Sequence, residues 1–166
     1  MNGGDASEHP GEDVIVITGD EEANFSQPLM LLGSVGKAGY LLDDYYFTED
    51  FSGSPVNSST NMELGEEYII YAKWVERIDF TVDLGDGYVL GTEPPENTFS
   101  AFAAKGTIFE DSVVGEHYEE FLIRDGFVVE GFYYDDAFTQ PIDRETEVID
   151  DTWENITIYV NWEASP

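Results

Sequence analysis

A thirteen-residue pattern occurs twice in this chain, and that duplication limits its folds more than any other feature. Gly39-Tyr40-Leu41-Leu42-Asp43-Asp44-Tyr45-Tyr46-Phe47-Thr48-Glu49-Asp50-Phe51 lies over Gly126-Phe127-Val128-Val129-Glu130-Gly131-Phe132-Tyr133-Tyr134-Asp135-Asp136-Ala137-Phe138. Gly39, Tyr46 and Phe51 recur as Gly126, Tyr133 and Phe138, and seven further pairs exchange like for like: aromatic, aliphatic or acidic. Each copy then reaches a proline, Pro55 or Pro141, and closes on a segment ending in tryptophan, Tyr68 to Trp74 and Ile156 to Trp162. Self-similarity over this distance means one structural unit used twice. The expected fold class is α+β: two tandem small β-grasp-like domains, each a mostly antiparallel or mixed sheet with a short helix. The first module covers 14–76 and an extended second module 77–163. A linker of 1–13 precedes them and a tail of 164–166 follows.

Alternation assigns the strands. Val14 to Ile17 is a short apolar run, expected as a buried strand. In the closing segments, Tyr68, Ile70, Ala72 and Trp74 share one face, as do Ile156, Ile158, Val160 and Trp162. A slip of one residue would expose both tryptophans, so they are expected in the core at the strand ends. Val75-Glu76-Arg77 joins the modules, and Ile78, Phe80, Val82 and Leu84 alternate with polar residues in the clearest strand of the sequence. Gly85-Asp86-Gly87 marks a turn, with Tyr88 to Leu90 returning as the hairpin arm.

The second module is longer before its Gly-aromatic pair, and the added length includes Pro94 to Gly106. Phe99, Phe102 and Ala103 fall at helical spacing there, with Gly106 placed to end the helix. Phe99 and Phe102 are expected either to cap the second core or to present a partner-binding surface. A further helix is expected over Glu116 to Leu122, with Tyr118, Phe121 and Leu122 inward, and another short one from Pro28.

Thirty-six acidic residues stand against six basic ones, a net charge of −30. Such a surface repels nucleic acid and anionic lipid, so neither is an expected partner. The absence of cysteine removes disulfides, thiol chemistry and cysteine-ligated metal. No signal peptide and no apolar run long enough to span a membrane is evident, so no insertion is expected from this segment. The stretch is read as an excerpt of a longer exported chain.

Motifs for chemistry are sparse. Gly33 to Ala38 lacks the first glycine and the hydroxyl residue of a phosphate loop, and reads as a turn. His9 and His117 have no ligand spacing around them. No Gly-x-Ser-x-Gly elbow occurs. Asp43-Asp44, Asp135-Asp136 and Asp150-Asp151 offer oxygen ligands, yet none fits a twelve-residue calcium loop. The sequence therefore points to no catalytic residue, no resident metal and no cofactor. Tyr46 and Tyr133, the middle members of the aromatic triplets, point to the face opposite their neighbours and are candidate contact residues, expected to be partly buried under the following loop.

The repeated residues also resemble a known family. Gly126-Phe127, Gly131-Phe132-Tyr133-Tyr134-Asp135 and the closing Ile158-Tyr159-Val160-Asn161-Trp162 resemble the Listeria–Bacteroides repeat, the B-repeat of internalin-type surface proteins. Ile70-Tyr71-Ala72-Lys73-Trp74 is nearly that family's ending. Phe132 and Tyr45 stand where the family usually has tryptophan. The resemblance implies a β-grasp-like module of an extracellular, cell-surface protein, acting as stalk, spacer or adhesive surface and bringing no catalytic residues; a monomer is expected. Its partner would be a host or neighbouring-cell protein or carbohydrate. Two alternatives follow from charge: an acidic nucleic-acid mimic that binds a basic protein, and a calcium-binding module.

Overall fold

The computed structural model describes residues 14–18, 23–24, 36–57, 59–63 and 66–166. The chain is α+β, with a mixed six-strand arrangement, two small two-stranded pairings and one short α-helix. In chain order the strands are β1 (Val14–Thr18), β2 (Ala23–Asn24), β3 (Tyr40–Tyr46), β4 (Asn61–Met62), β5 (Glu67–Asp83), β6 (Tyr88–Val89) and β7 (Thr98–Ala104). The helix α1 (Val113–Phe121) follows, then β8 (Leu122–Ile123), β9 (Phe127–Tyr133) and β10 (Thr157–Ala164). The chain divides into two compact units, Met1–Glu76 and Arg77–Pro166. The residues expected to join modules, Val75 to Arg77, lie inside β5 as regular strand.

In the first unit the leading half of β5 pairs antiparallel with both β1 and β3, and β2 pairs with β4. The expected alternation is present. Ile70 and Ala72 are buried together with Ile15, Tyr45 and Val56, and Leu42, Tyr68 and Trp74 pack against them. β1 is not buried on both faces, as its apolar run suggested: Ile15 points inward, while Val14 and Val16 are exposed. The helix expected from Pro28 lies outside the described residues.

In the second unit β7 pairs antiparallel with the trailing half of β5, β10 pairs with that half in parallel, and β9 pairs antiparallel with β10. Ile78, Phe80, Val82 and Leu84 are all buried, each contributing about 1.5–3 kcal/mol of apolar burial. Against them pack Ile158 and Val160 of β10, Phe132 of β9, and Phe109, Ile149 and Trp153 from the connections. Trp153 is the centre of an aromatic cluster, edge-on to Phe80 at 5.3 Å and Tyr134 at 5.6 Å and tilted against Phe109 at 5.4 Å. Burial, then a 2.6 Å hydrogen bond donated to Glu147, pushes the Tyr134 phenol well above its ordinary range.

Further expectations are corrected here. Residues 98–104 form a strand, not a helix: Phe99, Ala101 and Ala103 turn inward while Ser100 and Phe102 turn out, the two-residue period of a sheet. The hairpin partner of the Ile78–Asp83 strand is therefore β7, and Tyr88–Val89 pairs instead with β8. The helix begins earlier than expected, capped by Ser112, whose Oγ accepts from Gly115 N at 3.1 Å, and Leu122 is buried as strand, not helix. Trp74 and Trp162 pack against the cores of their units as expected, each partly buried, but Trp74 lies in the middle of β5 and not at a strand end; Trp162 Nε1 donates to Leu84 O at 3.0 Å.

Candidate functional site

The duplicated residues build the same surface feature in both units. Gly39 and Gly126 start it, at φ of 78° and 80°, a left-handed turn open to glycine at little cost. The turn closes through Tyr40 N to Lys37 O and Phe127 N to Arg124 O, each 3.0 Å. A cation then covers the first ring of each strand: Lys37 lies 5.1 Å from Tyr40 and Arg124 4.0 Å from Phe127.

Each seven-residue strand next carries a bulge at the same place. The register shifts between Leu42 and Asp44 in β3, and opposite Asn161 and Trp162 in β9, where Glu130 is passed over. The extra residue, Asp43 or Glu130, is aimed at the residue before the closing tryptophan. Lys73 Nζ donates to Asp43 Oδ2 at 2.6 Å, and Asn161 Nδ2 donates to Glu130 Oε2 at 2.8 Å. The bulge re-aims a side chain, as such insertions do at sheet margins.

Beyond the bulge, the triplets divide as alternation requires. Tyr45 and Phe132 enter their cores. Tyr46 and Tyr133 stand on the opposite face, half-exposed, paired across strands with Tyr71 and Tyr159. The following loops return so that Val56 N donates to Tyr45 O and Ile142 N to Phe132 O, both 2.8 Å, which draws in the residue after each proline. In those loops Phe51 and Phe138 have φ of 57° and 56°, remain 39% and 41% exposed, and meet Tyr46 and Tyr133 edge-on at 5.7 and 5.4 Å. A left-handed bulky residue is strained by roughly 1–2 kcal/mol, and the ring gains little burial in return. The ring beside the outward tyrosine is what both loops keep.

The two copies differ in what lies over the tyrosine. In the first unit Lys73 stands 5.9 Å from the Tyr46 ring centre. In the second, Asn161 replaces the lysine and Gly131 replaces Asp44. A Cβ at Gly131 would lie 3.4 Å from Tyr133 Cε2, so the end of the Tyr133 ring passes close beside the bare glycine. The Tyr133 hydroxyl donates to Glu130 Oε2 at 2.9 Å, and that carboxylate holds the phenol above its ordinary range. A cleft of about 340 Å³ opens beside it, lined by Glu130, Gly131, Tyr133, Pro141, Asp143 and Arg144 among others. Arg144 is turned inward, Nη2 donating to Gly115 O at 2.7 Å with the guanidinium 4.7 Å from the Tyr118 ring.

The other candidates separate. Phe99 is half-buried, edge-on to Phe121 at 6.0 Å, and caps the second core. Phe102 is 43% exposed beneath the Arg77 guanidinium at 4.0 Å. Two of the acid pairs serve local turns: Asp135 accepts from Thr139 N at 2.8 Å, Asp150 accepts from Thr152 Oγ1 at 2.6 Å and Thr152 N at 2.8 Å, and these bonds hold their carboxyls below the usual range. Among the described residues no three acidic or histidine side chains converge as metal ligands. His117 is exposed, with Glu116 and Glu120 carboxylates 3.4 Å from its nitrogens. Among the described residues no helix is long and apolar enough to cross a membrane. The bulge, the glycine beside Tyr133 and the left-handed phenylalanines were missed by sequence reasoning; the repeat itself was the signal that pointed at them. No family model, curated protein or solved structure matches this chain.

All six cations lie against carboxylates or rings, and they cannot balance 36 acids. Self-repulsion is therefore expected to lower stability at low ionic strength. The melting temperature should rise as sodium chloride shortens the screening length from about 10 Å at 0.1 M toward about 3 Å at 1 M. A melting temperature that stays flat or falls over that range, followed by circular dichroism, would show that the carboxylates are too far apart to matter.

Proposed function

We propose that the chain is a pair of β-grasp-like modules from a bacterial or archaeal cell-surface protein, acting without catalysis as spacer and adhesive surface. The observation that carries this reading is the outward Tyr–Phe pair built twice, at the same bulge and the same left-handed loop position. A core needs neither ring in that place, whereas a contact surface does. The strand order of the second unit, β7-β5-β10-β9 with a parallel central pair and a helix between β7 and β9, supports the β-grasp assignment. The motif resemblance supports the surface role.

Beads coated with the full chain, offered to bacterial and epithelial cells, test the adhesive role. Retention above that of beads bearing an unrelated protein of equal negative charge is the expected result. Equal retention of the two coatings would reduce the behaviour to charge and remove the adhesive role. Capture only by basic nucleic-acid-binding proteins would replace it with mimicry.

A further inference from the structure

The geometry points to the Tyr133 surface of the second unit as a saccharide-binding site, taking a neutral pyranose of a glycan chain. This deepens the adhesive reading above and rests on it. The hydroxyl end of the Tyr133 ring lies against Gly131, where no side chain intrudes, and among the described residues no cation stands over it as Lys73 does over Tyr46. Phe138 meets it at 69°, so the two rings form a corner with one flat wall and one upright wall. The apolar C–H face of a pyranose is complementary to a flat ring, and its hydroxyls need acceptors beside that ring. Glu130 supplies one: Oε2 is taken by Tyr133 and Asn161, which fix the carboxylate and leave Oε1 free to accept. Hydroxyl donation to an ionised carboxylate is among the stronger hydrogen bonds available to an uncharged ligand.

The adjoining cleft has the size of a small-molecule site. Its carboxylates, Asp143 with Glu130, accept hydroxyls, while Arg144 is committed inward to Gly115. A net charge of −30 repels anionic polysaccharides but not a neutral one. The left-handed strain at Phe138 is then the cost of holding the upright wall in place. The first unit has the same corner at Tyr46 and Phe51, but the Asp43–Lys73 ion pair occupies its acceptor and stands over its ring.

Nitrogen-15 NMR titration of the full chain with cellohexaose, mannohexaose and chitohexaose, each to about 10 mM, tests the site in the weak-affinity range of single-site recognition. At least one saccharide should shift the amides of Gly131, Tyr133 and Asn161 and leave those of Tyr46 and Lys73 in place. Tyr133→Ala should weaken that binding by about tenfold or more, equivalent to about 1.4 kcal/mol. Tyr133→Phe keeps the ring and the fold and should retain most of it, and Glu130→Gln should weaken it with an unchanged spectrum elsewhere. No shift with any of the three, shifts with hexalysine alone, or saccharide binding indifferent to both Tyr133→Ala and Glu130→Gln overturns the proposal. Beads bearing Tyr133→Ala that still adhere to cells would sink this site and leave the surface role standing.

Discussion

Trp153→Ala is expected to destabilise the second unit by about 3–5 kcal/mol, the range for removing a fully buried large aromatic side chain. Trp153 is 1% exposed and touches Phe80, Phe109 and Tyr134, so its loss leaves a cavity bounded by rings that cannot collapse together. Trp162→Ala should cost less, since Trp162 is half-buried and closes a strand at the margin of the core. Urea denaturation followed by tryptophan fluorescence and circular dichroism measures both. A Trp153→Ala midpoint within error of the parent would mean that the cluster does not carry the core.

Gly115→Ala is the second large effect, and its direction runs against helix propensity. An alanine inside a helix is ordinarily better than glycine by about 1 kcal/mol. Here a Cβ would run into the Phe109 carbonyl, 2.7 Å from its carbon and 2.8 Å from Glu110 Cα. Those are backbone atoms of the short 3-10 turn Phe109–Asp111, held by the Ser112 cap, and no side chain can swing aside to make room. Overpacking of this kind costs about 1–3 kcal/mol or more, so a net loss of about 2 kcal/mol is expected. A stabilised Gly115→Ala protein, by the same denaturation, would show that the turn moves freely away from the helix.

The parts of the fold that sequence alone revealed are those with a long, regular period. Ile78 to Leu84 alternates over seven residues, and both closing strands repeat the same inward set, so face and register follow from the pleat. Residues 98–104 were open to misreading because Phe99, Phe102 and Ala103 satisfy a helical spacing by coincidence. With two alanines on the inward face, the strand has little apolar contrast to announce itself. Trp153 was invisible for a related reason. It sits among Asp150, Asp151, Thr152 and Glu154, and enters the core through a single 3-10 turn capped by Asp150, so no periodic neighbour marks it.

The candidate surface was half legible. Aligning the two copies singled out Tyr46, Tyr133, Phe51 and Phe138 without showing what their shared positions did. The bulge arises from pairing between strands distant in sequence, and the positive φ of the phenylalanines contradicts the usual preference for glycine. The exchange of Lys73 for Asn161, trivial in an alignment, decides which tyrosine has a cation standing over its ring.

Native-state hydrogen exchange on the 166-residue chain carrying Trp153→Ala tests most directly the claim that one unit is used twice, each copy with its own core. The amides of Val82, Phe132 and Ile158 should lose protection, while those of Tyr45, Ile70 and Ala72 keep the protection they have in the parent protein. If both sets lose protection together, to the same extent and in one step, the chain has a single cooperative core and the duplicated-unit account is wrong.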